Sequence, residues 1–506
     1  MWIYNLALKF KRIAQENKNK IAIVCNKKNY TYEFLDDKSD QLLNYFQKNL
    51  KLSKQDIIAI ESSKKIEVFI LILTCLKNGT PYSIIDSKSP NKRVLKSFNT
   101  LKNKYYFSDI KSKFKNIRNI KLKYISKLIS VKKKYFADLS SVNSNDIAYI
   151  MFTSGSTGTP KGAAITHGNV LNFISWAADE YKINIKSRMS NLNPMHFDNS
   201  IFDFYCSIFN GAKLITYEHK ELINPHKLIE SIVKNKIDIW FSVPSLIIFV
   251  MKFNAFKKSS FKYIKKIIFG GEGFPKIKLK ELFLIKSKNT DLYNVYGPTE
   301  CTCICSSYKI TKLDFYKNEM QKLSPLGKKL SNNFNYTIMK NNRICKIGDI
   351  GELVITGCNV GKGYFNNGKE TANKFIQNPL NNNTIEVAYK SGDLVYIDKN
   401  NKHIYFKGRK DSQVKIKGHR IELQDIENNI NKINKVNECF VEHRRTDEED
   451  LIICWISHNN KISYIEKEIQ KLLPKYMLPN KYIELKNLPK NNNGKIDRVK
   501  LKSLKI

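Results

Sequence analysis

Short apolar runs alternate with helix-like segments from about residue 55 to 310, and this order limits the possible folds more than any other feature. Each run has the length of a buried strand. The runs are Ile57 to Ile60, Tyr82 to Ile85, Ala148 to Phe152, Lys213 to Tyr217, Ile237 to Phe241, Ile264 to Phe269 and Leu292 to Tyr296. Strands that alternate with helices predict a mainly parallel sheet covered by helices on both faces.

The chain changes character twice after this region. Residues 345 to 408 carry short strand-like runs such as Gly351 to Ile355, separated by turn residues, and this predicts a β-rich subdomain. From about residue 411, helix and strand patterns predict a small α+β domain. The predicted fold class is α/β: a large N-terminal core domain at residues 1–410, with its β-rich subdomain at 345–410, and a small C-terminal lid domain at 411–506.

The 506-residue chain has a formal charge of +41, which raises the question of nucleic-acid binding. Only ten of its 87 basic residues are arginines, although the planar guanidinium is favoured for base and phosphate recognition. The lysines are spread along the whole chain, and no RNA- or DNA-recognition motif accompanies them. We therefore expect no nucleic-acid partner, while the charge favours acidic partners in general.

The sequence disfavours membrane insertion and a structural metal site. The longest apolar stretch, Val68 to Leu76, is too short to span a bilayer, and Lys77-Asn78-Gly79 predicts a helix end directly after it. The ten cysteines have no spacing typical of a metal site, which predicts reduced, mostly buried thiols in a cytoplasmic protein. The alternation of Cys301, Cys303 and Cys305 predicts one face of a β-strand.

A loop rich in glycine and hydroxyl groups follows the apolar run that ends at Phe152. It reads Thr153, Ser154, Gly155, Ser156, Thr157, Gly158, Thr159, Pro160, Lys161 and Gly162. Backbone N–H groups, hydroxyl donors and a lysine suit a phosphate chain, and glycines allow close approach. Pro160 interrupts the P-loop pattern five residues after Gly155, so a different phosphate loop is predicted. The alternative is a flexible linker, but linkers rarely follow a buried strand or end in Pro-Lys-Gly.

Further motifs follow this loop in order along the chain. They are Asn294-Val-Tyr-Gly-Pro-Thr-Glu300, Gly351-Glu-Leu-Val-Ile-Thr-Gly357, Tyr389-Lys-Ser-Gly-Asp393, Gly408-Arg-Lys-Asp411, Gly418-His-Arg-Ile-Glu422 and Asn493-Gly-Lys-Ile-Asp-Arg498. Together they resemble the adenylate-forming superfamily, specifically its amino-acid-activating branch, and the resemblance covers essentially the whole chain. Two departures occur: Phe152 stands where tyrosine is usual, and Lys417 where arginine is usual.

The resemblance implies two reactions at one site, with ATP and Mg²⁺. A carboxylate first attacks the α-phosphorus of ATP, which gives an acyl-adenylate and pyrophosphate. A phosphopantetheine thiol on a carrier protein then takes the acyl group and releases AMP. The resemblance also implies that the small C-terminal domain is mobile and is hinged at Asp411.

The resemblance assigns a role to the residues of each motif. It places ATP binding on Thr153, Ser154, Gly155, Ser156, Thr157, Gly158, Thr159, Asn294, Tyr296, Gly297, Thr299, Asp393 and Arg409. Catalytic roles fall to three residues: Lys161 would hold the phosphates, Glu300 would bind Mg²⁺, and Lys495 would bridge the substrate carboxylate and the α-phosphate. Tyr296 would stack on adenine beside Asn294, while Asp393 would accept the ribose hydroxyls and Arg409 would add a ribose or phosphate contact.

Two of these residues have a simpler alternative explanation. Asp393 could be a turn residue, and Glu300 could be a charge at a helix N-terminus. The arginines support the functional interpretation, because three of the ten, Arg409, Arg420 and Arg498, fall inside these motifs.

The segment Phe197-Asp-Asn-Ser200 determines the substrate class. Asp198 matches the family position that binds an α-amino group, and a buried carboxylate is costly beside an acyl chain. The alternative is a turn or helix-cap aspartate. By motif offset, the remaining substrate-binding residues are Asn199, Phe202, Phe269, Gly270, Val295, Cys303 and Ile304. The two phenylalanines predict a short pocket for a small amino acid. Gly270 has no side chain and should leave some additional space in that pocket.

The chain ends soon after Arg498 without a carrier domain, so the expected acceptor is a separate carrier protein. Its size and the segment Phe197 to Tyr205 resemble the D-alanine:carrier protein ligases of teichoic acid D-alanylation. Three alternatives stay open: a standalone enzyme of nonribosomal peptide synthesis, an acyl-CoA synthetase, which should lack Asp198, and a basic nucleic-acid-binding protein.

Overall fold

The computed structural model describes residues 2–110, 114, 116–129, 138–155, 158–317, 319–328, 330–445, 450–491 and 495–504. Ser156 and Thr157 of the glycine-rich loop lie outside the described residues, as do Asn493 and Gly494. The chain forms two units. The first comprises Met1–Ile85, Leu101–Phe152 and Gly162–Lys410; the second comprises Asp86–Thr100, Thr153–Lys161 and Asp411–Ile506.

The strands are numbered in chain order. They are β1 (Ile21–Cys25), β2 (Lys28–Thr31), β3 (Ile58–Glu61), β4 (Tyr82–Ile85), β5 (Tyr105–Phe107), β6 (Arg118–Ile120), β7 (Ile147–Thr153), β8 (Lys161–Thr166), β9 (Arg188–Asn191), β10 (Lys213–Thr216), β11 (Ile239–Ser242), β12 (Lys266–Gly270), β13 (Asp291–Tyr296), β14 (Ser306–Lys309), β15 (Asn335–Lys340), β16 (Arg343–Ile344), β17 (Gly351–Thr356), β18 (Phe375–Gln377), β19 (Val387–Ile397), β20 (Ile404–Arg409), β21 (Gln413–Ile416), β22 (His419–Glu422), β23 (Val436–Arg445), β24 (Asp450–His458) and β25 (Lys481–Glu484).

The α-helices are numbered in the same way. They are α1 (Leu6–Glu16), α2 (Tyr32–Tyr45), α3 (Ile66–Asn78), α4 (Asn91–Leu101), α5 (Leu122–Leu128), α6 (His167–Tyr181), α7 (Asn199–Ile201), α8 (His219–Leu222), α9 (Pro225–Lys234), α10 (Pro244–Lys252), α11 (Lys276–Ile285), α12 (Gly368–Lys374), α13 (Leu423–Ile430), α14 (Ile462–Gln470) and α15 (Arg498–Ser503). A π-helical turn, Phe202–Cys206, continues α7. The predicted end of α3 is confirmed, because Gly79 adopts a left-handed conformation with φ 69°.

Two large sheets of the first unit are built mainly from parallel strands. One has the order β14-β13-β12-β11-β9-β10-β1-β2 and is parallel except for its edge pairs β13–β14 and β1–β2. The other has the order β6-β5-β3-β4-β7-β8. The predicted alternation of strands and helices, and the mainly parallel pairing, are therefore confirmed.

A third sheet of the first unit is antiparallel and follows the order β16-β15-β17-β19-β18, with β20 paired to β19. The predicted β-rich region is confirmed. In the second unit, residues from 411 onward form the hairpin β21–β22 and the sheet β23-β24-β25 with helices α13 to α15. Within the described residues, no helix combines the length and the apolar character needed to cross a bilayer.

The cysteine predictions divide into one that is confirmed and one that is wrong. All ten cysteines lie in the described part of the chain, none forms a disulfide, and most are buried. Cys301, Cys303 and Cys305 do not form a strand face, because Thr299–Cys301 is a 3₁₀ turn and β14 begins only at Ser306. Thr302 and Cys303 are both left-handed, with φ 57° and 75°, which breaks the strand geometry.

Candidate functional site

The glycine-rich loop joins β7 to β8, so it lies between two strands and not before a helix. Its turn is closed by the Gly158 N–H, which donates to the Gly155 carbonyl at 3.0 Å. A Cβ atom on Gly155 would lie 2.1 Å from the Thr159 carbonyl oxygen, and Gly158 has φ 78°. Glycine is therefore required at both positions, and the loop backbone can approach a phosphate closely.

Hydrogen bonds within the second unit hold this loop. The Lys96 ammonium donates to the Gly158 carbonyl at 2.5 Å, and the Ser154 hydroxyl donates to the Arg420 carbonyl at 2.8 Å. Arg93 pairs with the fully buried Asp425 at 2.9 Å. Sequence reasoning missed Lys96 and Arg93, because neither lies in a recognised motif; the scarcity of arginine was the available signal for Arg93.

Asp393 lies at the centre of a polar group in the first unit. Its carboxylate accepts a hydrogen bond from the Tyr296 hydroxyl at 2.5 Å and another from Arg409 at 2.6 Å. Arg409 also donates to the Ser391 carbonyl at 2.8 Å. Burial and the Asp393 carboxylate raise the pKa of Tyr296, so its hydroxyl stays a donor. Each carboxylate oxygen has two lone pairs, so Asp393 keeps acceptor capacity for ligand hydroxyls.

Asn294 and Gly297 lie on and just after β13, the strand that ends at Tyr296. The Asn294 amide donates to the Pro325 carbonyl at 3.0 Å, which fixes the orientation of the side chain. A Cβ on Gly297 would lie 2.1 Å from the Cys303 carbonyl oxygen and 2.7 Å from the Ile304 Cα. The close approach of these two backbone segments requires glycine at position 297 and brings Cys303 and Ile304 beside β13.

Glu300 is fully buried, and its carboxylate accepts a hydrogen bond from the Tyr364 hydroxyl at 2.7 Å. Among the residues that the structure describes, no group of three His, Cys, Asp or Glu side chains could hold a metal. A Mg²⁺ at this place would therefore rely on one carboxylate together with phosphate oxygens and water, a common arrangement for this ion. The residues present fit that arrangement.

Asp198 is half-buried at the start of α7, and its side chain makes no helix-cap hydrogen bond. Its Oδ2 instead accepts a hydrogen bond from the Thr299 hydroxyl at 2.5 Å. The Asp198 charge also contributes, after burial, to raising the pKa of Cys303 and of Tyr149. The cap alternative is therefore wrong, and the carboxylate contacts Thr299 of the first unit.

A buried apolar wall comprises Phe202, Ile268, Val295, Cys303 and Ile304, which belong to one hydrophobic core. The ring of Phe202 contacts those of Phe241 and Tyr181, at centroid distances of 4.9 and 5.6 Å. Asn199 begins α7, three residues before Phe202, and is half-buried.

Phe269 is not part of this wall, so its predicted place in the pocket is wrong. It belongs to a different core, where its ring meets that of Phe274 at 4.9 Å. Side chains alternate across a strand, so Ile268, and not Phe269, shares the face of Phe202. Because side chains at every second position of β12 share one face, the sequence alone could have placed Ile268 on the same face as Gly270.

The room expected at Gly270 is also absent. A Cβ on Gly270 would lie 2.5 Å from the Val295 carbonyl oxygen and 2.6 Å from its Cγ2. The two residues are neighbours in the pairing of β12 with β13. Val295 therefore occupies the space that the missing side chain leaves.

The remaining predicted residues belong to the second unit. Lys161 begins β8 and is 9% exposed. Thr153 ends β7, and its hydroxyl lies 3.5 Å from the Lys161 carbonyl oxygen. Asp411 accepts a hydrogen bond from the Gln413 N–H at 3.3 Å. Lys495 is exposed, and its backbone N–H donates to the Asn491 side chain at 3.1 Å.

Several curated proteins are similar to the chain over nearly its whole length. The D-alanine–D-alanyl carrier protein ligase of Listeria monocytogenes serovar 1/2a is 28% identical over 491 residues, 94% of each protein. Bacitracin synthase 1 of Bacillus licheniformis is 32% identical over 510 residues, which cover 97% of this chain but 9% of the synthase.

Solved structures share the fold at low sequence identity. An artificially fused adenylation and carrier-domain protein, NpsA-ThdA from Klebsiella oxytoca, has a TM-score of 0.84 at 21% identity, over 95% of this chain and 93% of its own. The adenylation domain AlmE of Vibrio cholerae, solved with glycyl-adenosine-5′-phosphate, has a TM-score of 0.80 at 20% identity, over 99% and 98%. The predicted fold class is thereby confirmed.

The match to a described family covers more than half of the chain. Residues 10–365 match the family described as AMP-binding enzyme. The predicted membership of the adenylate-forming superfamily is therefore confirmed, and the chain belongs to the AMP-binding enzyme family.

Proposed function

We propose that the protein uses ATP to activate a small amino acid as its aminoacyl-adenylate and then transfers it to the phosphopantetheine thiol of a separate carrier protein. The observation that carries the proposal is Asp198: a half-buried carboxylate, anchored by Thr299, beside an apolar wall. Such a carboxylate suits a substrate that carries an ammonium group and disfavours a plain acyl chain. An acyl-CoA synthetase is therefore the weaker alternative.

The proposed ATP-binding residues come from several motifs of the chain. In the first unit, Asp393 would accept the ribose hydroxyls while Arg409 keeps its carboxylate in place, and Tyr296 and Asn294 would meet adenine. In the second unit, the loop from Thr153 to Thr159 with Lys161 would bind the β- and γ-phosphates and then the leaving pyrophosphate. Fixed donors of this kind stabilise the charge that develops in phosphoryl and nucleotidyl transfer.

Glu300 would hold Mg²⁺, which when bound neutralises phosphate charge. Lys495 would bridge the substrate carboxylate and the α-phosphate in the first reaction and leave before the second. We propose residues 1–410 as the core domain and 411–506 as a mobile lid domain, with Asp411 as the hinge.

The proposed substrate is D-alanine. Two observations support it: the similarity to a named D-alanine–D-alanyl carrier protein ligase, and the large side chain of Phe202 within the buried wall. Because Phe269 lies on the other face of the sheet, the argument for a small substrate pocket rests on Phe202, Ile268 and Val295. A second candidate is adenylation of another amino acid for nonribosomal peptide synthesis, which the 32% identity to bacitracin synthase 1 favours.

A carrier protein is the proposed acceptor, in the cytoplasm. The relatives named as carrier protein ligases support a carrier protein as the acceptor. The second unit also has a cavity of about 360 Å³ whose charged lining residues are the cations Lys92, Arg93, Lys96 and Lys432 and the acidic Glu468. A surface of this charge attracts acidic proteins.

The proposal is tested by amino-acid-dependent exchange of pyrophosphate into ATP with a panel of D- and L-amino acids and short fatty acids. We expect exchange with D-alanine to be fastest. Faster exchange with leucine or phenylalanine would discard the D-alanine assignment but keep the adenylation chemistry. Exchange only with fatty acids would discard the amino-acid proposal.

Phe202 and Phe269 form a matched pair for testing the pocket wall. We expect Phe202→Leu to raise kcat/KM for 2-aminobutyrate relative to alanine by about 10-fold, since one methylene contributes about 1–3 kcal/mol to discrimination. Phe269→Leu removes the same volume from the other core and should leave the ratio unchanged. A change of the ratio in Phe269→Leu alone would contradict the assignment of Phe202, and not Phe269, to the pocket wall.

A further inference from the structure

Tyr364 is tied to Glu300 by a buried hydrogen bond. The Tyr364 hydroxyl donates to Glu300 Oε1 at 2.7 Å, and the two residues are 5% and 0% exposed. A hydrogen bond to an ionised acceptor is stronger and more directional than one between neutral groups. Tyr364 belongs to the β-rich region, and the carboxylate to which it donates lies 64 positions earlier in the chain.

Tyr364 is held in place by contacts of its backbone and of its ring. Its backbone N–H donates to the Thr371 hydroxyl at 2.9 Å, and its ring packs edge-on against Phe375 at 5.5 Å. These contacts fix the direction of the phenol, so the position of the Glu300 carboxylate follows from the packing of this segment.

The segment 361–365 also pairs with β8, the strand that follows the glycine-rich loop. The Ala164 N–H donates to the Gly363 carbonyl at 2.9 Å, and the Phe365 N–H donates to the Gly162 carbonyl at 2.8 Å. The Gly361 N–H donates to the Glu300 backbone carbonyl at 2.9 Å. One segment therefore holds the Glu300 backbone, its carboxylate and the first-unit part of β8.

We propose that Tyr364 is a positioning residue that sets the orientation of the Glu300 carboxylate toward Mg·ATP. The proposal rests on the proposed function, in which Glu300 is the metal-binding residue. Mg²⁺ demands near-ideal octahedral geometry, so a carboxylate that serves as its one protein ligand must be held at a defined angle. Tyr364 supplies that constraint through its hydrogen bond to the Glu300 carboxylate.

The test uses Tyr364→Phe, which removes the donor and keeps the ring against Phe375. We expect the Mg²⁺ concentration for half-maximal pyrophosphate exchange to rise by about 10-fold, the usual effect of losing a hydrogen bond to a metal ligand. Calorimetric titration should show the same weakening for ATP with Mg²⁺, while ATP without Mg²⁺ binds as to the unchanged protein.

Tyr32→Phe is the matched control, because it removes another buried hydroxyl, one that donates to the Ala212 carbonyl at 2.7 Å. It should leave the Mg²⁺ dependence unchanged. If Tyr364→Phe lowers activity equally at all Mg²⁺ concentrations, together with its melting temperature, the positioning role is overturned. Absence of any amino-acid-dependent exchange in the unchanged protein would instead reject the proposed function.

Discussion

Lys495→Ala is expected to slow adenylate formation by about 10²–10³-fold, because it removes a cation from the charge that develops between carboxylate and α-phosphate. Transfer to the thiol from a supplied aminoacyl-adenylate should stay largely intact, since the proposed lid motion withdraws Lys495 before that step. Pyrophosphate exchange measures the first reaction, and single-turnover loading of a phosphopantetheinylated carrier measures the second.

The matched control for Lys495 is Lys500→Ala. Lys500 is an exposed lysine on α15, close in sequence to Lys495. Its loss lowers the net charge equally and should change neither reaction. An equal loss of both half-reactions in Lys495→Ala would assign this residue a structural part in the second unit instead of a catalytic one.

The elements that the sequence predicted well are those whose signal is local. Length and apolar character placed strands such as Tyr82–Ile85, and the Asn78-Gly79 pair placed the end of α3. The errors at the candidate site arose from geometry that a motif does not contain. Phe269 was misplaced because alternation along β12 was not counted, and the strand expected at Cys303 fails because its backbone is left-handed.

Other parts of the candidate site depend on contacts between residues far apart in the chain. Tyr364 meets Glu300, Tyr296 meets Asp393, and Thr299 meets Asp198 across 64, 97 and 101 positions. Nothing in one sequence pairs these side chains, because each contact joins residues that come together only in the folded first unit. Such partners fix the orientation of residues that the motifs had named.

Asp198→Ala is expected to lower kcat/KM for the amino acid by about 100-fold, equivalent to about 3 kcal/mol for a lost charge-assisted hydrogen bond. The affinity for ATP should fall less than kcat/KM, because Asp198 is hydrogen-bonded to Thr299, whereas the Asp393 carboxylate has its own donors in Tyr296 and Arg409. The measurement compares kcat/KM for alanine and for its des-amino analogue propionate in the unchanged protein and in the variant.

Asp203 offers a control for the Asp198 variant within the same helical segment. It is fully buried, its carboxylate accepts from the Asn191 and Asn193 side chains at 3.0 and 3.1 Å, and burial raises its pKa to about 7. Asp203→Asn should therefore affect the free energy of unfolding but not the preference for alanine over propionate. Because the proposal assigns the ammonium contact to Asp198, the preference should fall in Asp198→Ala and not in Asp203→Asn. An unchanged preference in Asp198→Ala would make Asp198 a structural residue and leave the amino-acid assignment without its main support.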